Sequence, residues 1–440
     1  ANNTTASNNT AVGKSALLVN TTGHSNVAVG TFALDANTTA QNNTAVGLSS
    51  LGANTTGTAN TGLGSKSLED TTTGSNNTGI GYQALESNTT GSQNVSVGSG
   101  ALFGNTTASN NTAVGFFALE VNTTGAENTA VGANALQNNT QSQNCAVGHD
   151  ASQANTTGAN NTAIGSFSQH VNTTGSQNTS IGKSSLGANT TGSDNTALGR
   201  SALSGNTTAS FNTAVGKFAL QVNTTGSENT AVGLQALDAN TTGSNNVAMG
   251  VNALTSNTTA NSNTSIGYSS LLANTTGTTN TAIGVNAGYA ASANGNVTGS
   301  NNTFIGHNSV GTSTSASNVV TLGDGSISTL RCQVQTITSL SDERDKKDIF
   351  NLNAGLDFLN KLRPVSFTWN TRDKAKVGIE DNGFIAQELI AAQEDTGITI
   401  PNLINADNPD KLEAGYGTLI PVLVNAIKEL SAKVTALEAG

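Results

Sequence analysis

A unit of seventeen residues, N-T-A-V-G-x-x-A-L-x-x-N-T-T-G-S-x, recurs about nineteen times between residue 1 and about residue 323. Its opening Asn stands at 9, 26, 43, 60, 77, 94, 111 and 128, then, after one step of sixteen, at 144 and every seventeen residues to 280, and finally at 302 and 318. A fixed period this short is typical of a one-dimensional array in which each repeat packs only on its neighbours. The pattern predicts a rod and argues against a globular enzyme over three quarters of the chain.

Each repeat has the features of one coil of a parallel β-solenoid. The N-x-A-V-G segment alternates as a strand does, with Thr10 and Val12 on one side and Ala11 on the other. A second short extended piece is expected to end in the Leu eight residues after the Asn, with Gly at a corner of positive φ and N-T-T-G-S as a polar turn. Nineteen such coils would form a rod on the order of 90 Å long. Three units lack the Leu and carry instead Ser152, Gln169 and Gly288.

The core of a single coil is expected to be thin. Each unit offers about one Val, one Leu and two Ala to an interior. Ordering seventeen residues costs roughly 1.5 kcal/mol per residue, which so little apolar surface does not offset. Chains lying side by side could share their Ala-lined faces, so the array is predicted to be a homo-oligomer.

The repeats resemble the head repeats of trimeric autotransporter adhesins, whose units also read as Asn, then V-A-I-G or similar, then a small-residue strand. That resemblance implies a homotrimer of left-handed parallel β-rolls over residues 1 to about 323. The unit in this chain is longer, because its N-T-T-G-S loop is enlarged.

Composition changes abruptly near residue 341. All four prolines, the single tryptophan and eleven of the seventeen Lys/Arg residues lie beyond it. Between the two regimes, residues 324–340 keep a strand-like alternation, with Leu330, Cys332 and Val334 on one side, which predicts an intertwined β neck. Three parts are therefore expected: a solenoid shaft over 1–323, the neck over 324–340, and a small α+β domain over 341–440.

Charge and cysteine content exclude several classes of function. The net charge of −10 argues against a nucleic-acid-binding groove. Cys145 and Cys332 form neither a disulfide framework nor a metal-ligand pattern, and Cys145, in a slot usually held by Thr, is expected to be a small buried side chain. The chain has no run of eighteen apolar residues, so membrane insertion is not expected. The sequence also predicts no metal and no cofactor.

Two further features concern processing. The chain begins at Ala1 inside a repeat loop without Met, which suggests a piece of a longer protein. The recurring Asn-Thr-Thr matches the N-glycosylation pattern, but turn chemistry in a solenoid explains it better.

The segment S-D-E-R-D-K-K-D-I (341–349) is followed by L-D-F-L-N-K-L-R-P-V-S-F-T-W (356–369), G-F-I-A-Q-E-L (383–389) and Y-G-T-L-I-P-V-L-V-N-A-I-K-E-L (416–430). In this order and spacing, the motifs resemble the C-terminal intramolecular chaperone of phage tailspikes, endosialidases and neck appendages. The resemblance implies a trimer that templates the preceding β-structured stalk and then releases itself by cleavage at the conserved Ser.

Carried over to this chain, the resemblance makes Ser341 the nucleophile and Lys346 the base of a Ser–Lys dyad. The family pattern favours the bond between Ser341 and Asp342, although the side of Ser341 that is cut stays open. Attack by Ser341 on its own carbonyl would need a four-membered ring, so cleavage after it requires another chain or a water.

The lysine of such a dyad must be neutral at working pH, which requires desolvation or nearby positive charge. Arg344 and Lys347 could supply that charge, and the carboxylates in the same segment would oppose it. Those carboxylates are Asp342, Asp345 and Asp348.

The last helix carries an apolar seam with 4-3-4-3 spacing, which indicates a coiled coil. Alternating Ile/Val and Leu ordinarily favours two strands, whereas the chaperone resemblance favours three. The seam consists of Leu423, Ile427, Leu430, Val434 and Leu437.

Together these features predict a homotrimeric viral or phage fibre located in the virion, or otherwise extracellular. Its shaft would bind a host-surface receptor such as a glycan, and its only enzymatic activity would be self-cleavage. A bacterial trimeric surface adhesin with the same chaperone is the alternative. A polysaccharide-degrading tailspike is disfavoured because residues 1–340 contain neither Trp nor clustered Asp/Glu.

Overall fold

A computed structural model describes residues 5–289, 295–327, 330–331, 341–371, 377–406, 409–410 and 412–439. Its larger part is a parallel β-solenoid of nineteen coils, each contributing one three-residue strand to a single sheet. Each strand pairs in parallel with the next, and equivalent repeat residues are opposite one another. Strands β1 to β19 are, in order, Thr10–Val12, Val27–Val29, Thr44–Val46, Thr61–Leu63, Thr78–Ile80, Val95–Val97, Thr112–Val114, Thr129–Val131, Cys145–Val147, Thr162–Ile164, Thr179–Ile181, Thr196–Leu198, Thr213–Val215, Thr230–Val232, Val247–Met249, Thr264–Ile266, Thr281–Ile283, Thr303–Ile305 and Val320–Leu322.

We number coils by their strand and positions 1 to 17 from the opening Asn. The expectation of a second extended piece in each repeat is wrong. The segment that ends at the Leu of position 9 is a turn, and it stacks on the equivalent turns of the neighbouring coils. Positions 7 and 9 have positive φ, as at Phe32 (59°) and Leu34 (51°), a conformation that no strand contains. The backbone N–H of Leu34 donates to the carbonyl of Ser50 in the next coil at 3.1 Å. Hydrogen bonds to neighbouring coils thus hold a left-handed Leu that would be unfavourable in isolation.

The glycine corner is confirmed. Position 5 has φ between 126° and 143° in most coils, for example 135° at Gly216. A Cβ added to Gly216 would lie 2.4 Å from the carbonyl oxygen of Gly233 in the next coil. Glycine is needed here both for its left-handed conformation and for the close stacking of coils.

The interior of each coil consists of the Ala of position 3, the Ala of position 8 and the Leu of position 9. Ala28, Ala33 and Leu34 are all fully buried in this way. The alternation predicted for the strand is confirmed, but its assignment to faces differs from what we expected. The aliphatic side chain of position 4 points outward, and the Ala-lined face is inside the coil, so chains cannot share it.

The side chains of position 4 form what we call the outer aliphatic column, in which every member is half-exposed or exposed. Val12 is 58% exposed at one end and Leu322 is 51% exposed at the other. Because consecutive members are one coil apart, the column is an unbroken apolar stripe along the sheet. Its members are Val12, Val29, Val46, Leu63, Ile80, Val97, Val114, Val131, Val147, Ile164, Ile181, Leu198, Val215, Val232, Met249, Ile266, Ile283, Ile305 and Leu322.

Two buried columns of Asn connect the coils. At position 1, the Asn195 side chain donates to the carbonyl of Ala209 at 2.9 Å, across its own coil, and accepts the backbone N–H of Asn212 at 3.0 Å. At position 12, Asn206 donates to the side-chain oxygen of Asn189 at 2.9 Å and to Ala209 at 2.9 Å. The Asn of Asn-Thr-Thr therefore belongs to the interior: its amide, the atom a glycan would occupy, is already hydrogen-bonded inside the coil.

Three coils lack the Leu of position 9, and these coils interrupt the regular packing of the solenoid core. Phe304, 1% exposed, fills the space left at Gly288, since a Cβ there would lie 2.9 Å from the phenyl ring. Gln169 falls between the two clusters into which the solenoid core separates, and Ser152 lies near the end of the first cluster. Both are buried, and the Ser152 hydroxyl and the Gln169 side-chain oxygen find no hydrogen-bond partner in the described part of the chain.

Two smaller expectations are corrected. The residue that occupies position 1 of the last coil is Val319, not residue 318, because its backbone N–H donates to the Asn302 side chain at 2.9 Å. Cys145 is half-buried rather than buried, since position 2 points outward beside the outer aliphatic column. Burial of this degree raises the pKa of the Cys145 thiol. Most of the predicted neck, Cys332 and Val334 included, lies outside the described residues.

The C-terminal region is α+β, as expected. It contains α1 (Leu356–Leu359), a hairpin of β20 (Val365–Asn370) and β21 (Val377–Gly383), α2 (Ala386–Thr396), the short pair β22 (Ile404–Asn405) and β23 (Glu413–Ala414), and α3 (Leu419–Glu438). Its core includes Phe358, Leu389, Leu403 and Val422. None of the described helices has the length and apolarity needed to span a bilayer.

Helix α3 buries one face and leaves the predicted seam uncovered. Leu419, Val422 and Ala426 are buried against the rest of the region. All five seam residues are exposed, from 45% at Leu423 to 82% at Leu437. The seam is thus available to pack against other copies of the helix.

Candidate functional site

The predicted dyad lies on a short helical turn at the start of the C-terminal region. Residues Glu343–Asp345 form a 3-10 helix, and Asp342 caps it by accepting the backbone N–H of Arg344 at 2.9 Å. Lys346 ends the turn in an extended conformation. The turn reverses the chain and brings Lys346 back to Ser341, where its Nζ donates to Ser341 Oγ at 2.9 Å. The predicted nucleophile and the predicted base are therefore within hydrogen-bonding distance in a single chain.

Arg344 does not approach the lysine. Its guanidinium faces Asp342, with Nε 3.0 Å from Oδ1. This hydrogen bond, with a smaller contribution from the Arg344 backbone N–H, lowers the pKa of the Asp342 carboxyl and raises the pKa of Arg344. Asp342, next to the nucleophile, is thus held as a carboxylate whose charge Arg344 balances. The expectation that Arg344 would act directly on Lys346 is not met in the single chain.

The dyad is uncovered. No residue from Ser341 to Asn353 is buried, and Ile349 and Phe350, just beyond the dyad, are 62% and 85% exposed. A lysine acts as a base only when neutral, and removal from water favours that form. The single chain therefore aligns the two groups but leaves them in solvent.

The segment that follows the dyad is tied to α3. The backbone N–H of Leu356 donates to Glu429 Oε2 at 2.8 Å, and Asn425 Nδ2 donates to the carbonyl of Ala354 at 2.9 Å. Sequence reasoning did not single out Asn425 and Glu429, although both lie within the N-A-I-K-E stretch of the final motif. Their spacing of four places them on one helix face, which was the available signal. The seam helix therefore fixes residues 354–356, which begin eight residues after Lys346.

Two further contacts join the other motifs. The Arg363 guanidinium pairs with the Glu388 carboxylate of α2, with Nε 3.2 Å from Oε2, and the Phe384 backbone N–H donates to the Tyr416 hydroxyl at 3.2 Å. The last three of the four sequence motifs thus fold into one structural unit. In the described residues of the chain, no cluster of three or more His, Cys, Asp or Glu side chains is arranged to hold a metal ion.

A comparison with protein-family models matches residues 341–398 to the model described as "chaperone of endosialidase". The match begins at Ser341 and extends through α2, so it contains the predicted dyad, the hairpin and the Arg363–Glu388 pair. Neither the curated proteins nor the solved structures include a match to this chain. The chain accordingly joins a β-solenoid to a segment similar to an endosialidase chaperone, a combination that fits fibre and tailspike proteins.

Proposed function

We propose that this chain is the subunit of a homotrimeric viral or phage fibre, assembled by its C-terminal region, which then cleaves itself off next to Ser341. The observation that carries the proposal is the combination of the outer aliphatic column with the exposed seam of α3. Both are long apolar surfaces that the chain leaves uncovered, and both run along an elongated element. Host attachment rests on the resemblance of the C-terminal region to chaperones of phage fibres.

The size of the outer aliphatic column supports an obligate assembly. A half-exposed Val, Leu or Ile leaves roughly 60 Å² of apolar surface in water, so the nineteen members of the column expose on the order of 1,100 Å². A stable protein interface buries about 800 Å² on each partner. A sheet face of this area in a rod-shaped molecule is better explained by a neighbouring copy than by solvent.

Assembly also supplies what the dyad lacks. Because α3 carries the seam on one face and holds residues 354–356 through Asn425 and Glu429, trimerisation through the seam draws the dyad segments of three chains together. Exposed Ile349 and Phe350 would then pack between chains and remove Lys346 from water. Self-cleavage would follow assembly, which orders the two events as a chaperone requires.

Cleavage is tested by intact-mass analysis of freshly purified full-length protein. The wild type is expected to give a fragment of roughly a hundred residues, and Ser341→Ala and Lys346→Ala are expected to remain uncut. Lys361→Ala, which removes an exposed lysine outside the dyad segment, is the matched control and should be cut like the wild type. Cleavage of Ser341→Ala at the same place would refute the nucleophile assignment.

Assembly is tested by light scattering and by two forms of deletion. The folded shaft should have three times the chain mass, and a well-folded monomer at micromolar concentration would contradict the proposal. Deleting residues 342–440 from the gene should yield aggregated or misregistered shaft, whereas removing them after folding should leave a heat- and protease-resistant rod. Equal yields of the same rod by both routes would show that the region is not a chaperone here.

A bacterial trimeric surface adhesin remains the second candidate, because the repeats resemble adhesin head repeats. Gene neighbourhood distinguishes the two. Capsid and tail genes nearby would favour the fibre, and a membrane-anchor gene would favour the adhesin.

A further inference from the structure

Basic residues are rare in the solenoid, and three of them are stacked. The first 341 residues contain six Lys/Arg, of which Lys183, Arg200 and Lys217 occupy position 6 of the consecutive coils 11, 12 and 13. All three are exposed, and none forms an ion pair within the described ranges. Lys217 Nζ lies 4.7 Å and the Arg200 guanidinium 5.7 Å from the centre of the Phe218 ring. Like charges one coil apart repel each other, so this basic ladder needs a counterpart.

Acidic and aromatic residues are concentrated at the opposite edge of the same sheet face. Position 17 precedes each strand, as position 6 follows it, and in most coils it is Asn, Gln, Ser, Thr or Ala. Next to the basic ladder it is Asp194, Phe211 and Glu228, all exposed. Phe211 is 61% exposed and has φ of 63°, a conformation that a bulky residue adopts rarely. A large apolar ring held in this way at the surface indicates a contact outside the chain.

The two edges cannot meet within one chain. Asp194 and Arg200 flank β12, and Phe211 and Lys217 flank β13. The six residues from one edge to the other span roughly 16–20 Å. Packing three copies of the face around an axis parallel to the rod, however, brings the position-6 edge of each copy beside the position-17 edge of its neighbour. At the level of β12 this opposes Arg200 and Asp194, and at the level of β13 it opposes Lys217 and Phe211.

We propose that coils 11 to 14 contain an inter-subunit key, in which the basic ladder of one chain contacts Asp194, Phe211 and Glu228 of a second copy. The inference rests on the trimer proposed above and adds residues that join its subunits. Charge pairs at the rim of an interface fix orientation more than they add affinity. With the chains level, Arg200 faces Asp194 and Lys217 faces Phe211, while Lys183 and Lys217 lie one coil, ~4.8 Å along the rod, from Asp194 and Glu228.

Charge reversal on one edge and on both edges tests the key in the full-length protein. One variant carries Lys183→Glu, Arg200→Glu and Lys217→Glu, a second carries Asp194→Lys and Glu228→Lys, and a third combines all five. Lys14→Glu is the matched control, because Lys14 occupies position 6 of coil 1, where the facing edge carries neutral Asn8 and Ser25. Neutral Gln replacements at the same five sites serve if a reversed chain aggregates.

The measured quantities are trimer mass and the unfolding rate of the trimer at low ionic strength. Each one-edge variant should unfold about tenfold or more faster than the wild type, and the combined variant should return to within about threefold of it. Salt should shrink these differences. The key would be overturned if the one-edge variants unfolded at the rate of the Lys14→Glu control. It would also be overturned if the combined variant unfolded as fast as the summed effects of the two one-edge variants predict.

Two other outcomes are distinguishable. If the wild-type shaft has the mass of one chain, the proposed trimer itself fails, and the key with it. If instead dextran sulfate binds the wild type but not the basic-edge variant, and unfolding rates are unchanged, the ladder is a polyanion-binding site and the key is refuted.

Discussion

The two Asn columns have the same amino acid and the same burial, but they should differ sharply in how much each Asn contributes to the stability of the shaft. Asn178, at position 1, donates to the Gly192 carbonyl at 2.9 Å and accepts the backbone N–H of Asn195 at 3.0 Å. Asn189, at position 12, donates to Gly192 at 2.9 Å and to the Asn172 side chain at 2.8 Å. We predict that Asn178→Ala destabilises the shaft much more than Asn189→Ala.

The difference follows from the groups that each substitution leaves unpaired. Asn178→Ala leaves the buried backbone N–H of Asn195 without an acceptor, which costs about 1–3 kcal/mol on top of about 1 kcal/mol for the lost bond to Gly192. Asn189→Ala leaves no backbone group unpaired, because Gly192 still accepts from Asn178. It leaves only side-chain groups unpaired, the Asn172 oxygen and one N–H of Asn206. Because side chains can reorient where a backbone group cannot, we expect a cost of about 1 kcal/mol.

The chain itself indicates that position 12 is tolerant. Thr71 replaces Asn in that column and is still contacted by Asn88 Nδ2 at 3.4 Å. In the same column the side-chain oxygens of Asn54 and Asn122 are buried and find no partner among the described residues. Position 1, in contrast, is Asn in each of the coils that open between residues 9 and 302.

Hydrogen exchange of the folded shaft is the appropriate assay, because each substitution acts locally in a long stack. A difference of about 2 kcal/mol per chain corresponds to roughly thirtyfold in local opening. Amides of coils 11 and 12 should therefore exchange on the order of thirtyfold faster in Asn178→Ala than in Asn189→Ala, and coils near either end should not change. Equal exchange in the two variants would refute the argument from the unpaired backbone N–H.

Three further predictions concern the same solenoid. At position 9, Leu220→Ala should destabilise the shaft by about 3–5 kcal/mol, whereas Ser152→Ala, which removes a buried hydroxyl without a partner, should be neutral or stabilising by about 1 kcal/mol in denaturant unfolding. Gly216→Ala forces an L side chain to φ of 135° against the next coil and should lower the melting temperature, while Gly187→Ala, at ordinary φ, should not. Burial raises the pKa of Asp238, so its ionisation opposes folding and stability falls as pH rises through that pKa. Asp238→Asn should therefore stabilise the shaft at neutral pH and lose this advantage in acid; a constant difference across pH would contradict the linkage.

The period, the glycine corner and the parallel stacking were predictable because each follows from a local rule repeated many times. One strand per coil was not, since Leu34 in a left-handed turn contradicts single-residue preferences. Hydrogen bonds between coils, which no single repeat contains, hold that conformation. The direction of Val29 was unpredictable for a related reason: alternation separates the faces of a strand but does not say which face is inside.

At the candidate site, the pairing of Ser341 with Lys346 was predicted from resemblance, and the two groups lie 2.9 Å apart. Their catalytic roles stay a prediction. Arg344, one of two residues that could place positive charge near Lys346, pairs instead with the carboxylate of Asp342, which also caps the helical turn. The contact between Leu356 and Glu429 of α3 spans 73 residues and leaves no periodic signal.

Near-identical coils make the shaft easy to stabilise and hard to align. A chain displaced by one coil keeps nearly all its apolar contacts with its neighbours, because Val215 is merely exchanged for Val232. Correct alignment therefore depends on irregular features, such as the sixteen-residue step before Asn144 and Phe304 against Gly288. Each is local, and none acts until the chains already lie side by side. A C-terminal region that joins three chains at one fixed level would act earlier, which explains why such a regular shaft would need a chaperone to fold but not to remain folded.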